Sequence, residues 1–331
     1  MRITFLGTGA ATPTRARNVT SIALQPAERQ GGAPLFLFDC GEGTQHQILR
    51  APHVKLSHLS RVFFTHLHGD HLFGLAGLLA SRALALGGDA PSPVTLHGPA
   101  ALADYLRGVA QATGLRLRSG GGDGGLTVEA VAGPGVVYED DFLRVESAPA
   151  RHGIEAWAYA VTERDQPGAF AIEKARALGI APGPVYGRLK AGEVVTLEDG
   201  RTIDGRALTG PDRPGRKVVF SGDTIYTPEV VALARNADLL IHEATYAPAD
   251  LALARRALHS TSDMAARVAC EANVKVLFLT HVSPRYEGGG GHGEGAATLD
   301  DLVEGARAIF PNTFLAHDFL VYDVPRRSET A

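Results

Sequence analysis

The segment Thr65-His66-Leu67-His68-Gly69-Asp70-His71 sets three imidazoles and one carboxylate within six residues. Buried singly, each of these side chains would need its own polar partner, and no apolar core calls for that density. Neutral imidazole nitrogens and carboxylate oxygens are usual ligands of zinc, so a pair of divalent ions accounts for the composition. An apolar run at 62–64 precedes the segment and a helical pattern follows from residue 72, which places these side chains on a loop at the carboxyl edge of a sheet. Two cations about 3.5–4 Å apart activate water at neutral pH and clamp the entering and leaving oxygens of an in-line displacement. The expected chemistry is metal-assisted hydrolysis.

The elements that must hold such a loop show as runs rich in Val, Ile and Phe at 3–6, 35–38, 62–64, 94–97, 218–220, 239–242 and 276–280. Helical periodicity lies between several of them, at 72–86, 100–112, 261–272 and 298–309. Residues 126–162 read as a meander, with turns at Gly133-Pro134-Gly135 and Glu139-Asp140-Asp141. The mixture predicts an α/β protein with sheets inside and helices outside. Residues 118–125 read as a flexible surface loop, and the glycines before His292 as a mobile one. A stretch from about 163 to 205 lacks the apolar density of its surroundings and reads as a protruding insertion, too small for a core of its own. Between 163 and 217 it carries ten Lys or Arg against eight Asp or Glu. The 331 residues are therefore read as one domain with an inserted arm.

Composition narrows the function classes. At 45% hydrophobic and 21% charged, the chain is not disordered. A net charge of −4 excludes a surface that is basic throughout, though not a local basic element. Without 18 uninterrupted apolar residues, no membrane span is expected. The opening Met-Arg-Ile-Thr-Phe-Leu-Gly reads as a strand, not a secretory leader. Two cysteines, Cys40 and Cys270, are too few for a disulfide framework, and a reducing cytoplasm is the expected compartment.

The His66–His71 segment resembles the HxHxDH motif of the metallo-β-lactamase-fold hydrolases, whose fold is a four-layer αβ/βα sandwich. That resemblance implies a later His, an Asp and another His, each at a strand end; His152, Asp223 and His281 occupy those places. By carry-over, His66, His68, His152 and Asp223 hold one zinc, and Asp70, His71, Asp223 and His281 the other, with two ions per subunit and Asp223 bridging. Asp70 serves as ligand alone or also takes a proton from the attacking water. Asp39 orients ligands through hydrogen bonds.

Four further segments resemble the ribonuclease Z family, which trims the 3′ end of precursor tRNA. Pro13-Thr14-Arg15-Ala16-Arg17-Asn18 is similar to the family's PxKxRN loop, with Arg15 where lysine is usual. The implied substrate contacts are Arg15, Arg17 and Asn18; the guanidinium at 15 is a planar fork and not a point charge. Ile241-His242-Glu243-Ala244-Thr245 carries the family's HEAT motif, implying that His242, polarised by Glu243, protonates the departing 3′ oxygen. His259-Ser260-Thr261 matches an HST loop that opens a helix, a place where a phosphate can bind. Pro182-Gly183-Pro184 matches the motif of a tRNA-gripping arm, with Arg164, Lys174, Arg176, Arg188 and Lys190 as candidate phosphate contacts. The implied function is a zinc endoribonuclease that cuts precursor tRNA after the discriminator base and leaves a 3′ hydroxyl, working as a homodimer without a membrane. A small-molecule zinc hydrolase of the same fold, acting on an ester, sulfate or lactam, is the alternative. A non-catalytic RNA-binding module is a third, disfavoured by the complete ligand set.

Overall fold

The apolar runs pair into two seven-stranded sheets packed face to face. The computed structural model describes residues 1–26, 33–85, 93–115, 125–287 and 297–326. The His292 segment, and residues 118–124 of the other expected loop, fall outside them. The first sheet holds β1 (Arg2–Gly7), β2 (Ser21–Gln25), β3 (Leu35–Phe38), β4 (Leu59–Phe63), β5 (Val94–Gly98) and β6 (Leu126–Ala130). The second begins with β7 (Gly135–Glu139), β8 (Leu143–Pro149) and β9 (Trp157–Glu163). A separate hairpin, β10 (Val194–Thr196) and β11 (Thr202–Asp204), intervenes. The second sheet then resumes with β12 (Lys217–Phe220), β13 (Leu239–Glu243), β14 (Leu277–Thr280) and β15 (Thr313–Leu315). The last strand, β16 (Val321–Asp323), returns to the first sheet and pairs antiparallel with β1.

The central strands of each sheet, such as β3, β13 and β14, are buried on both faces, which is why they read as continuous apolar runs. The inner faces share one core in which the Phe38 ring stacks on Phe220 at 3.7 Å and on Phe63 at 5.1 Å. The outer face of the first sheet is covered by α1 (Thr44–Arg50), α3 (Leu75–Ala85) and α4 (Leu102–Thr113), which follow β3, β4 and β5. The short α2 (Gly69–Leu72) lies between β4 and α3. The outer face of the second sheet packs on an alanine-rich layer from α7 (Pro228–Ala234), α8 (Ser262–Glu271) and α9 (Leu299–Arg307). The result is the four-layer αβ/βα sandwich. No helix among the described residues is long and apolar enough to cross a membrane.

Strands β12, β13 and β14 run parallel, so the chain leaves all three at one edge, with Asp223, Glu243 and His281 at or just past the strand ends. The stacked phenylalanines anchor that edge: Phe38 precedes Asp39, Phe63 lies two residues before Thr65, and Phe220 lies three before Asp223. The core thus fixes the backbone from which the polar groups project.

Between β9 and β12 the chain leaves the sandwich as the arm, with α5 (Ile172–Ala177), α6 (Pro184–Lys190) and the β10–β11 hairpin. Contrary to expectation it has a core of its own, in which Ala175, Ile180, Leu189, Val195 and Leu208 are buried together against Phe170 and Tyr186. These apolar side chains come from five separated places in a polar segment, so no window of the sequence displays them. At the root, Arg216 donates to both oxygens of Glu163, at 2.8 and 2.7 Å. Burial would raise the Glu163 pKa, but the Arg216 bond and charge outweigh it and lower it.

Candidate metal centre

Four separated segments bring their side chains to the shared edge. His66 Nε2 lies 3.0 Å from His68 Nδ1, which in turn lies 3.1 Å from His152 Nε2. Alongside, His281 Nε2 is 3.2 Å from His71 Nε2 and 3.3 Å from Asp70 Oδ2. Asp223 Oδ2 stands between the groups, at 3.7 Å from His66 Nε2, 3.3 Å from His71 Nε2 and 3.2 Å from His281 Nε2. The structure therefore gathers all seven carry-over ligands into two groups that meet at Asp223.

The outward ring nitrogens tell what the inward ones need. Thr65 donates its hydroxyl to Asp39 Oδ2 at 2.8 Å, so Thr65 Oγ1 is left to accept from His66 Nδ1–H at 3.0 Å. Thr245 likewise donates to Glu243 Oε2 at 2.7 Å and accepts from His281 Nδ1–H at 2.9 Å. His152 Nδ1 faces the Leu258 carbonyl at 3.3 Å, and His71 Nδ1 faces Asp39 Oδ2 at 2.8 Å. Assigned from this network, neutral His66, His152 and His281 carry their proton outward and turn a bare Nε2 lone pair toward other acceptors. Converging lone pairs repel, and a donor set of imidazole nitrogens and carboxylate oxygens suits a metal ion. Burial, then the charge of His71, pushes His66 well below its ordinary pKa, as suits a neutral ligand. For His71, burial acts downward, but the charges of Asp223 and Asp39 outweigh it and raise the pKa. A proton on His71 and a cation are alternative ways to neutralise Asp223. Asp39 and His281 both adopt left-handed backbone, at φ 61° and 55°, a strain retained where the surroundings over-determine it.

Asp70 Oδ2 accepts a bond from the Ala11 N–H at 2.8 Å. Burial alone would raise its pKa, but a hydrogen bond from the His281 ring, when that ring is protonated at Nε2, and the charge of His71 lower it.

The HEAT segment departs from expectation. His242 and Glu243 are neighbours on β13, and adjacent strand residues project to opposite faces. Glu243 faces the cluster; His242 is fully buried, bonds the Glu243 carbonyl through Nδ1 at 2.7 Å and joins none of the candidate metal groups. Burial lowers its pKa. The residue paired with Glu243 is instead His259, whose Nδ1 lies 2.8 Å from Oε1. Burial would lower the His259 pKa, but the charge and hydrogen bond of Glu243, with Asp223 behind, raise it to about 9.

The expected substrate residues divide. Arg15 is exposed, whereas Arg17 is only 7% exposed and acts as a strut: Nη1 donates to Thr8 Oγ1 and the Ala316 carbonyl, and Nε lies 2.7 Å from Glu287. Asn18 donates to the Glu42 carbonyl through its amide and to Asp318 Oδ2 through its backbone N–H. Ser260 and Thr261 are buried, bonded to the Thr224 carbonyl and Asp263, leaving His259 as the one HST side chain that reaches the cluster. Pro182, Gly183 and Pro184 are exposed in the arm. Arg176 lies against Glu173, Arg188 against Glu193, and Arg164 at the root against Glu139 of β7, all solvent-exposed pairs of the weak kind that a phosphate can displace. Asp318 was not singled out in the sequence, where no motif surrounds it. It accepts from Thr8, Asn18 and Gln47, tying the N-terminal glycine turn to the loop at 13–18.

The chain is similar to known proteins along its whole length. It is 53% identical over 331 residues to Ribonuclease Z of Trichodesmium erythraeum (strain IMS101), covering 100% of this chain and 98% of that one. Against Ribonuclease Z of Crocosphaera subtropica (strain ATCC 51142 / BH68) the identity is 50% over 328 residues, with 99% of both covered. Among solved structures, human tRNase Z, short form, superposes with a TM-score of 0.65 at 26% identity, over 98% of this chain and 100% of that one. Family models match two pieces: Anti-Pycsar protein Apyc1 over residues 1–109 and Beta-lactamase superfamily domain over residues 201–282. Full-length identity above one half, on a sandwich that superposes on a tRNase Z, makes this chain a member of the ribonuclease Z family.

Proposed function

We propose that this protein is a metal-dependent endoribonuclease that removes the 3′ trailer of precursor tRNA, cutting after the discriminator base and leaving a 3′ hydroxyl. The observation that carries the mechanism is the meeting at Asp223 of a three-histidine group and a mixed histidine–aspartate group, beside the Glu243–His259 pair and open to a cleft of about 570 Å³. His66, His68, His152 and Asp223 would hold one ion; Asp70, His71, His281 and Asp223 would hold the other. Five imidazoles among seven ligands favour zinc over manganese, which prefers oxygen. When bound, the ions supply Lewis-acid charge beside the scissile phosphate and make water reactive at neutral pH.

The chain's own residues do the rest. Thr65, Thr245 and Asp39 hold the rings of His66, His281 and His71 in their orientations. His259 keeps a proton at neutral pH because Glu243 faces it, and it delivers that proton to the departing 3′ oxygen. Arg15 meets the RNA end at the cleft, while Arg17 and Asp318 set the loop. The arm grips RNA away from the cut, with Arg164, Lys174, Arg176, Arg188 and Lys190 as its phosphate contacts; the active species is a homodimer. The test is incubation with a 3′-extended precursor tRNA, with and without chelator, mapping both new ends. Cleavage after the discriminator base that stops with chelator is expected. A protein that hydrolyses small esters but leaves the precursor intact overturns the reading in favour of a small-molecule hydrolase.

A further inference from the structure

One stretch of the cleft wall is the loop at 10–13 with Gly69, Asp70 and Phe73; another is Tyr246 with His259 and Pro284. Among the described lining residues, Phe73 is the one large apolar side chain left exposed, at 63%. Single exposed apolar residues are common on protein surfaces and mean little alone. This one is seated. Its N–H bonds the Gly69 carbonyl at 2.9 Å, and its ring lies over Gly69 so closely that a Cβ there would come within 2.3 Å of ring atom Cε2. Glycine at 69 thus lets an aromatic face rest against the backbone beside two ligand positions, His68 and Asp70.

We propose that Phe73 is the platform on which the base of the first trailer nucleotide stacks, on the far side of the scissile phosphate from the tRNA body. The inference rests on the precursor-tRNA reading of the site. In an in-line displacement the departing 3′ oxygen lies toward His259, the group that holds its proton, and Tyr246 borders that part of the wall. In-line attack puts the water opposite that oxygen, while the trailer, joined to phosphorus through its 5′ oxygen, leaves to the side of the axis, where the cleft wall carrying Phe73, three residues after Asp70, offers an aromatic face. Proteins that take single-stranded RNA stack unpaired bases on aromatic rings, and stacking accepts any base because each has a π-face. That tolerance suits a trailer, which is discarded and need not be read.

The test uses the metal-loaded protein and precursors with 2-aminopurine at either the first trailer position or the discriminator position. Wild type and Phe73→Trp should quench the trailer probe in a stopped-flow phase before cleavage, and Phe73→Ala should not. Phe73→Ala should raise KM for the precursor roughly 5- to 150-fold, the range of one lost base stack. An abasic first trailer nucleotide should erase the difference between wild type and Phe73→Ala. Unchanged KM and quenching in Phe73→Ala overturn the inference alone, as does quenching confined to the discriminator probe. A shift of Phe73→Ala to a smaller species in sedimentation, with quenching intact, would assign the ring to a contact between copies instead. A wild-type protein that neither binds nor cuts the precursor overturns both this inference and the function on which it rests.

Discussion

Glu243→Gln isolates the proton delivery from the metal groups. Glu243 is 1% exposed, and its oxygens accept from the Thr224 N–H, the Thr245 N–H, the Thr245 hydroxyl and His259 Nδ1, between 2.7 and 3.1 Å. Glutamine keeps the shape but removes the charge that raises His259 to about 9. With that support gone, burial returns the ring to roughly its ordinary 6.5 or below. At pH 7.5 the protonated fraction then falls from nearly all to about one tenth, a roughly tenfold loss before any misorientation. The amide NH2 also meets donors where an acceptor stood, so the full loss should approach 100-fold, inside the roughly 10²–10⁴ that general acid catalysis contributes. The assay is single-turnover cleavage of a 3′-extended tRNA beside bis(p-nitrophenyl) phosphate, whose phenolate departs without a proton. Glu243→Gln and His259→Ala should depress the first far more than the second, and Glu243→Gln should move the alkaline limb of the precursor reaction from near pH 9 toward 6.5. His242→Phe, which changes a buried ring facing away from the cluster, should spare turnover. Equal loss on both substrates, or a His242→Phe defect as deep as that of His259→Ala, would refute the assignment of the acid.

Thr245→Val removes the acceptor that orients His281 and should weaken metal affinity about 10- to 100-fold in a competitive chelator titration, with the fold intact by circular dichroism. His97 is buried against Phe63, and burial with nearby Arg61 lowers its pKa to about 4. The unfolded chain binds that proton more readily, so the stability His97 contributes is complete above about pH 6.5 and is lost as pH falls toward 4, by at most about 3 kcal/mol. Urea unfolding across that window should be flatter in His97→Phe than in wild type. Replacing the arm, residues 164–216, by a short linker should raise KM for precursor tRNA while sparing bis(p-nitrophenyl) phosphate; equal loss of both would show that the arm supports the centre and not the RNA.

What the sequence revealed followed from locality. The His66–His71 ligands lie in one loop and could be seen together, and His152, Asp223 and His281 follow strands whose apolar runs are unmistakable. The HEAT pair misled because adjacency in sequence is separation on a strand: only one of His242 and Glu243 can face the cleft, and Thr245 and His259 fix Glu243 there. That limit was open to strand periodicity from the start. The anchoring of Arg17, expected as a substrate contact, could not be read because its partners, Thr8, Ala316 and Glu287, come together only through the closing of the sandwich. Asp318 was invisible for the same reason, lying about 300 residues from Thr8 and Asn18. The arm's small core escaped because its apolar residues are scattered among charges.

The most direct measurement strips the protein with chelator and returns zinc stepwise while following a 3′-extended precursor tRNA. Cleavage should vanish on stripping, return up to two equivalents per chain and end at the discriminator base, and Asp223→Ala should abolish recovery because both groups share that carboxylate. Full cleavage by the stripped protein, or two bound equivalents with an intact precursor, would contradict the account.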